Sequence, residues 1–251
     1  MYRAVTIVAA VLLAAGLSSS LAAQIKLTPE QQKQFKEEGR VDTDQGVIMN
    51  MDFLNLNMDG GGITVGTTPT LPAGWSAQAD SGALLDVQFN AVVKGYQLKL
   101  GAVGAVVYRA ADTVTGPFQA MATFTQTKAS YRARGYGLIY GGKGLDGNGA
   151  TYVALLVRGD GQYMVERRDG AKTTTLVPWT ANAAIKSVNA ADPAVNVVEI
   201  DAMSNPKKLT FKVNGKTVHA MDAVPADVKG IVGLRAGRSL DLQIDAYAVK
   251  S

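Results

Sequence analysis

Leu209, Phe211 and Val213 alternate with Thr210 and Lys212, and Asn214-Gly215 follows at once. No other stretch narrows the possible folds as much. Asn-Gly readily takes the two left-handed conformations of a type I′ turn, whose twist matches that of paired antiparallel strands. The pattern predicts a β-hairpin whose two-residue loop sets Val213 opposite Lys216 and Phe211 opposite Val218. Phe211 and Val218 then share a dry face, Lys212 and Thr217 share a wet one, and His219 falls on the wet face opposite Thr210.

The same alternation recurs along the chain. Tyr96, Leu98 and Leu100 alternate with Gln97 and Lys99; Ala105 to Tyr108 and Phe118 to Gln126 follow; and each run is bounded by Gly, Pro or Asp. Tyr136 to Tyr140, Tyr152 to Val157 and Tyr163 to Arg168 come next, and a longer excursion carries Pro178 and Trp179. Val195 to Ala202 leads into the hairpin, and Ile231 to Arg235 and Leu240 to Val249 close the chain. About ten strands without an interior helix predict two packed antiparallel sheets over residues 72–251. The 27 glycines and 7% aromatic content suit short strands joined by tight turns.

The N-terminal part has a different character. Arg3, the apolar run Ala4 to Leu17 and small residues ending at Ala22 read as an export signal over residues 1–22. The run is short of the roughly 20 apolar residues that span a bilayer, so no membrane segment is expected in the mature chain. A periplasmic or extracellular location follows. Over residues 23–71 the expectation is a short N-terminal helix, with Thr28 as N-cap, Pro29 in the first turn and Gly39 at its end. An irregular lead-in follows, with one or two edge strands. The absence of cysteine excludes disulfides and a cysteine lipid anchor. A net charge of +4 spread along the chain does not suggest a nucleic-acid partner.

The succession YGLIYGG, YVALLVRGDGQYMVERRDG, Trp179, NVVEIDAM with KKLTFKVNGKTV, GIVGLRAG and LDLQIDAYAV resembles the concanavalin A-like jelly-roll domains of bacterial secreted proteins. Among them it is similar to the 3-keto-disaccharide hydrolase-like domain. The likeness runs from about Pro72 to Lys250. It implies an all-β, two-sheet antiparallel jelly-roll sandwich and a role with sugars, as a glycan-binding module or as an enzyme on oxidised glucosides. A hydrolase or lyase for 3-keto-glycosides would need a base near the sugar α-proton and a metal or Arg to stabilise an enediolate. Asp146, Glu166 and Asp201 are the catalytic candidates, with no partner that the sequence places. A structural envelope protein without a sugar ligand is the third reading.

Glycan binding asks for aromatic faces flanked by hydrogen-bonding side chains. Tyr131, Tyr136, Tyr140, Tyr163 and Trp179 lie near Arg132, Arg134, Arg158, Arg167 and Arg168 in one part of the chain. Tyr136, Tyr140, Arg158, Tyr163, Arg167 and Trp179 are therefore the candidate ligand residues, although strand tyrosines also fill cross-strand pairs and Trp179 could plug the core. Asp146 and Asn148 in the glycine-rich loop, with Asp245, offer oxygens for a possible calcium ion.

Three motifs mislead. Glu199-Ile200-Asp201 begins the ExDxxE pattern of family 16 glycoside hydrolases, but its last acid is Ser204 here. Retaining glycosidases need two carboxylates about 5 to 5.5 Å apart, and both acids equally suit the wet side of a strand. Gly142 to Gly147 matches GxGxxG, yet another turn and a strand follow where a nucleotide site needs a helix N-terminus. Arg158-Gly159-Asp160 is an adhesive tripeptide, but turn chemistry alone selects Gly and Asp between two strands.

Overall fold

The structure is a computed structural model that describes residues 29–30, 40–43, 46–49, 71–80, 84, 87–130, 132–189, 192–225 and 227–251. The chain divides into two units, Met1–Thr68 and Pro69–Ser251. In the first, Pro29 and Glu30 are helical; the rest of the expected N-terminal helix, and the expected export signal, lie outside the described residues. Strands β1 (Arg40–Thr43) and β2 (Gly46–Met49) pair antiparallel, with Val41 opposite Ile48.

The second unit carries fourteen strands among its described residues. In chain order they are β3 (Trp75–Ala79), β4 (Val87–Ala91), β5 (Tyr96–Leu100), β6 (Ala105–Val114) and β7 (Gln119–Gln126). Next come β8 (Gly135–Lys143), β9 (Thr151–Arg158), β10 (Gln162–Asp169), β11 (Lys172–Ala181) and β12 (Ala194–Asp201). The last four are β13 (Lys208–Val213), β14 (Lys216–Asp222), β15 (Gly230–Ala236) and β16 (Asp241–Lys250). They form two seven-stranded antiparallel sheets: sheet I in the order β11-β10-β9-β8-β15-β6-β3, and sheet II in the order β14-β13-β12-β7-β16-β5-β4. This is an all-β jelly-roll sandwich: the strand pattern predicts the two antiparallel sheets, and the resemblance implies the jelly roll.

The alternation is what builds the core. In β7, Ala120, Ala122 and Phe124 are fully buried while the residues between them are partly exposed. Leu138 and Leu155 of sheet I, and Ile200, Phe211 and Ile244 of sheet II, face inward against them with no exposure. Burial of each such side chain stabilises the fold by roughly 1.5 to 3 kcal/mol.

The hairpin forms with Asn214 at φ 51° and Gly215 at φ 76°, both left-handed as the turn requires. Its register departs from the expected one after a single step. Val213 pairs Lys216 and Lys212 pairs Thr217, but Phe211 pairs His219, so Val218 is the extra residue of a β-bulge. Two residues of β14 then oppose one of β13. His219 therefore sits against the core rather than on the wet face: its ring centroid lies 6.2 Å from Phe211, parallel within 8°, and 6.3 Å from Tyr163. Val218 still packs on the core, as expected.

Pro178 and Trp179 lie within β11 rather than in an irregular excursion. The strand is the outermost of sheet I and its register slips around Met164, opposite Pro178. A proline, which has no N–H to give to a ladder, is tolerated at such an edge bulge. Strands β3 and β4, which the sequence pattern leaves out, complete the far edges of the two sheets.

Candidate functional site: the outer face of sheet I

The registers of sheet I place side chains in rows on its outer face. One row runs Met164, Leu156, Gly137, Arg235, Val106 and Gln78 from β10 to β3. The next runs Glu166, Ala154, Ile139, Gly233, Tyr108 and Ser76 through the same strands. Gly137, Gly233 and Ala154 keep the middle low, so the longer side chains around them stand as walls.

The sheet is strongly curled. β10 and β3 are five strands apart, which in a flat sheet would be about 24 Å at ~4.8 Å per strand. Yet Arg168 Nη1 on β10 lies 3.8 Å from Oδ1 of Asp80, the residue after β3. Twist accumulated over the strands brings these corners together and makes the outer face concave. A second apolar cluster lies within it: Val106, Tyr108, Ile139, Tyr152, Ala154 and Leu156, covered by Leu145 from the β8–β9 loop. A cavity of about 30 Å³ remains beside Asp80, Asn148, Tyr152 and Arg168.

Over this floor two acids and two guanidinium groups interleave. Arg235 Nη2 donates to Asp80 Oδ2 at 2.6 Å and Nη1 donates to the Ala236 carbonyl at 2.8 Å, while its buried Nε has no hydrogen-bond partner. Burial raises the Glu166 carboxyl above the usual carboxylate range; Arg235 opposes this, Asp80 adds to it and Arg168 opposes it. At the other end of the face the Arg158 guanidinium stacks 4.4 Å from the Trp179 ring centroid. Gly135 makes room for that ring, since a Cβ there would lie 2.9 Å from Trp179 Cη2.

Of the candidate ligand residues, Arg158 and Trp179 lie on this face. Tyr136, Tyr140 and Tyr163 do not: their side chains fill the space between the sheets at 0%, 0% and 5% exposure, which leaves no ring face for a sugar. The reason is parity. Tyr136 and Tyr140 are an even number of residues apart and share the inner side of β8 with Leu138, and Tyr163 shares the inner side of β10 with Val165. The Tyr136 hydroxyl accepts from Asn196 Nδ2 at 3.1 Å, and burial pushes its pKa up to about 12. Arg167 is also on the inner side, where it makes a bidentate ion pair with Asp227 at 2.9 and 2.5 Å.

The catalytic candidates separate too. Glu166 joins the outer-face cluster, and Asp146 lies in the β8–β9 loop near Tyr108. Asp201 is on sheet II, 2% exposed, and acts as a turn anchor. It accepts from the Met203 and Ser204 amides at 3.0 and 2.9 Å, from Ser204 Oγ at 2.6 Å and from Lys212 Nζ at 2.9 Å. Burial pushes the Asp201 carboxyl up, but Ser204 and Lys212 together hold it well below the usual carboxylate range. Glu199 shares the Lys212 ammonium at 2.8 Å, so the ExDxxE remnant is an ion-pair network. The oxygens proposed for calcium fall on different sheets, Asp146 and Asn148 beside sheet I and Asp245 on β16 of sheet II. Among the described residues no group of three His, Asp or Glu side chains comes together.

The GxGxxG stretch begins in the last two residues of β8 and runs into the turn before β9, with a strand and not a helix behind it. Arg158 Nε donates to Asp160 Oδ1 at 2.8 Å, closing the Arg-Gly-Asp turn on itself. Sequence reasoning missed Asp80, Tyr108, Tyr152 and Arg235. For Arg235 a signal existed, because it alternates with Gly233 in a strand whose other residues are apolar; for Asp80 none did, since its strand was not recognised.

No family model and no curated protein matches the chain. Solved structures do resemble it. A carbohydrate-binding module, CBM66 from Bacillus subtilis, aligns at 10% identity and TM-score 0.53 over 73% of this chain and 98% of its own. A Bacillus subtilis protein of unknown function with a galectin-like fold aligns at 11% and 0.49, over 70% and 88%. A Bacteroides ovatus family 16 glycoside hydrolase bound to its product aligns at 9% and 0.47, over 70% and 94%. At such identities the likeness is one of fold.

Proposed function

We propose that this protein binds carbohydrate on the concave outer face of sheet I. The observation that carries the reading is the interleaving of Asp80, Arg235, Glu166 and Arg168 above the apolar cluster of Val106, Tyr108, Ile139 and Tyr152. A sugar presents neighbouring hydroxyls, each able to donate and accept, and alternating carboxylates and guanidinium groups answer both at once. Arg158, held over the Trp179 ring, presents its guanidinium as a further donor at one end of the face. The sandwich shared with a carbohydrate-binding module supports the reading at the level of fold. Export fits it: the run from Ala4 to Leu17 would carry the chain to where polymeric glycans are found.

Calorimetric titration of the full chain with soluble oligosaccharides tests the proposal. The unmodified chain binds at micromolar to millimolar concentration, and Arg168→Ala weakens binding about tenfold, the loss of a charge-assisted hydrogen bond or two. Failure of every oligosaccharide to bind at millimolar concentration sinks it.

One observation favours a second reading, turnover of a 3-keto-glycoside. Glu166 combines a raised pKa with two neighbouring guanidinium groups, a base next to cations that could stabilise an enediolate. Mass analysis after incubation with 3-keto-disaccharides separates the two: cleaved products appear only if the protein turns the substrate over, and their loss in Glu166→Gln assigns the base to Glu166.

A further inference from the structure

A second cavity, of about 210 Å³, opens at one end of the sandwich. Its origin is local. The β8–β9 ladder breaks between Tyr140 and Lys143, where Gly141 adopts φ 66°. The connection between β14 and β15 packs into the break: a Cβ on Gly141 would lie 2.6 Å from the Asp227 carbonyl oxygen. The bulge thus brings Asp227 and its partner Arg167 to the cavity wall.

Three cations and two carboxylates line the cavity: Lys143, Arg167 and Arg168 against Asp169 and Asp227. Arg167 and Asp227 neutralise each other. Lys143 is exposed and has no carboxylate partner among the described residues. In the wall is a fully buried tyrosine, Tyr140, whose hydroxyl has no hydrogen-bond partner. An orphaned buried hydroxyl carries a cost that an incoming polar group relieves. Tyr152 and Arg168 line this cavity and the small one on the concave face alike, so the two are neighbours around the sheet end.

We infer that the end cavity receives a singly charged carboxylate sugar, a uronic acid at the terminus of a saccharide lying on the concave face. This inference rests on the carbohydrate reading above. Arg167 is neutralised by Asp227 and Arg168 is shared with Asp80, which leaves Lys143 as the lining cation without an ion pair among the described residues; one such cation fits a monoanion, and Asp169 and Asp227 disfavour a doubly charged phosphate group. Lys143 and Arg168 take the carboxylate, and a ring hydroxyl becomes the partner of Tyr140. At ~30 Å³ per water the cavity holds about seven waters, room for one sugar ring.

The experiment is calorimetric titration of the full chain with a short oligosaccharide ending in glucuronate, with its counterpart ending in glucose, and with free glucuronate. The unmodified chain prefers the acid-ended ligand by about tenfold, roughly one charge-assisted contact. The preference shrinks as salt rises, since Lys143 is exposed. Lys143→Gln abolishes the preference and leaves the neutral ligand's affinity unchanged. Tyr140→Phe weakens both oligosaccharides alike, since their end rings carry the same hydroxyls, and does not lower the melting temperature, because it removes a hydroxyl without a partner. Equal affinity for both oligosaccharides overturns the inference while sparing the carbohydrate reading. Binding of neither oligosaccharide nor free glucuronate overturns both.

Discussion

Asn214 shows how much one residue can hold. Its sequence signal is the turn, but the side chain does more: Oδ1 accepts from the Val197 amide at 2.9 Å, and Nδ2 donates to the Ala184 carbonyl at 2.8 Å and to Asn196 Oδ1 at 3.0 Å. Asn196, fully buried, passes the connection on to Tyr136 and to both backbone polar groups of Lys186. Asn214→Gly keeps the left-handed turn and loses these bonds, at about 1 kcal/mol each. Asn214→Ala loses both, adding roughly 1 to 2 kcal/mol for the left-handed backbone. Urea unfolding of the two variants separates turn from network. Asp201 governs a second test. Its folded pKa is depressed, so its contribution is complete above the ordinary carboxylate value of about 3.9 and is lost as pH falls below it. Melting temperature measured against pH therefore drops on the acid side, and Asp201→Asn flattens that part of the limb.

Strands reveal where a period of two suffices and where it fails. Through β7, and through β12 as far as Ile200, buried and partly exposed residues alternate, and the sequence shows it plainly. In β14 one bulged residue reverses the parity and turns His219 inward against Phe211 and Tyr163. A bulge leaves no composition signal, since Val218 is as good a strand residue as any. β3 was illegible for another reason. WSAQA has no β-branched residue, and Trp75 owes its place to partners distant in sequence: Phe89 at 4.9 Å, Tyr96 at 5.0 Å and the Arg109 guanidinium at 4.9 Å. Trp75→Ala opens that cluster at one edge of the sandwich and costs about 3 to 5 kcal/mol, read from the denaturant midpoint at unchanged slope.

At the scale of the molecule, Pro69–Ser251 contains both seven-stranded sheets and, among the described residues, both buried apolar clusters. A chain beginning at Pro69 should melt in one cooperative transition and bind saccharide as the full chain does; loss of the folded state on removal of residues 1–68 contradicts this. The sequence alone determined the all-β class, the hairpin turn and the greater part of the core, because each depends on residues close together in the chain. Only the tertiary structure decided the site. Asp80 and Arg168 meet through a twist summed over five strand-to-strand steps, and Tyr136, Tyr140 and Tyr163 turn inward because the second sheet lies on their side. A period of two tells which residues share a face, but only packing decides which face is covered.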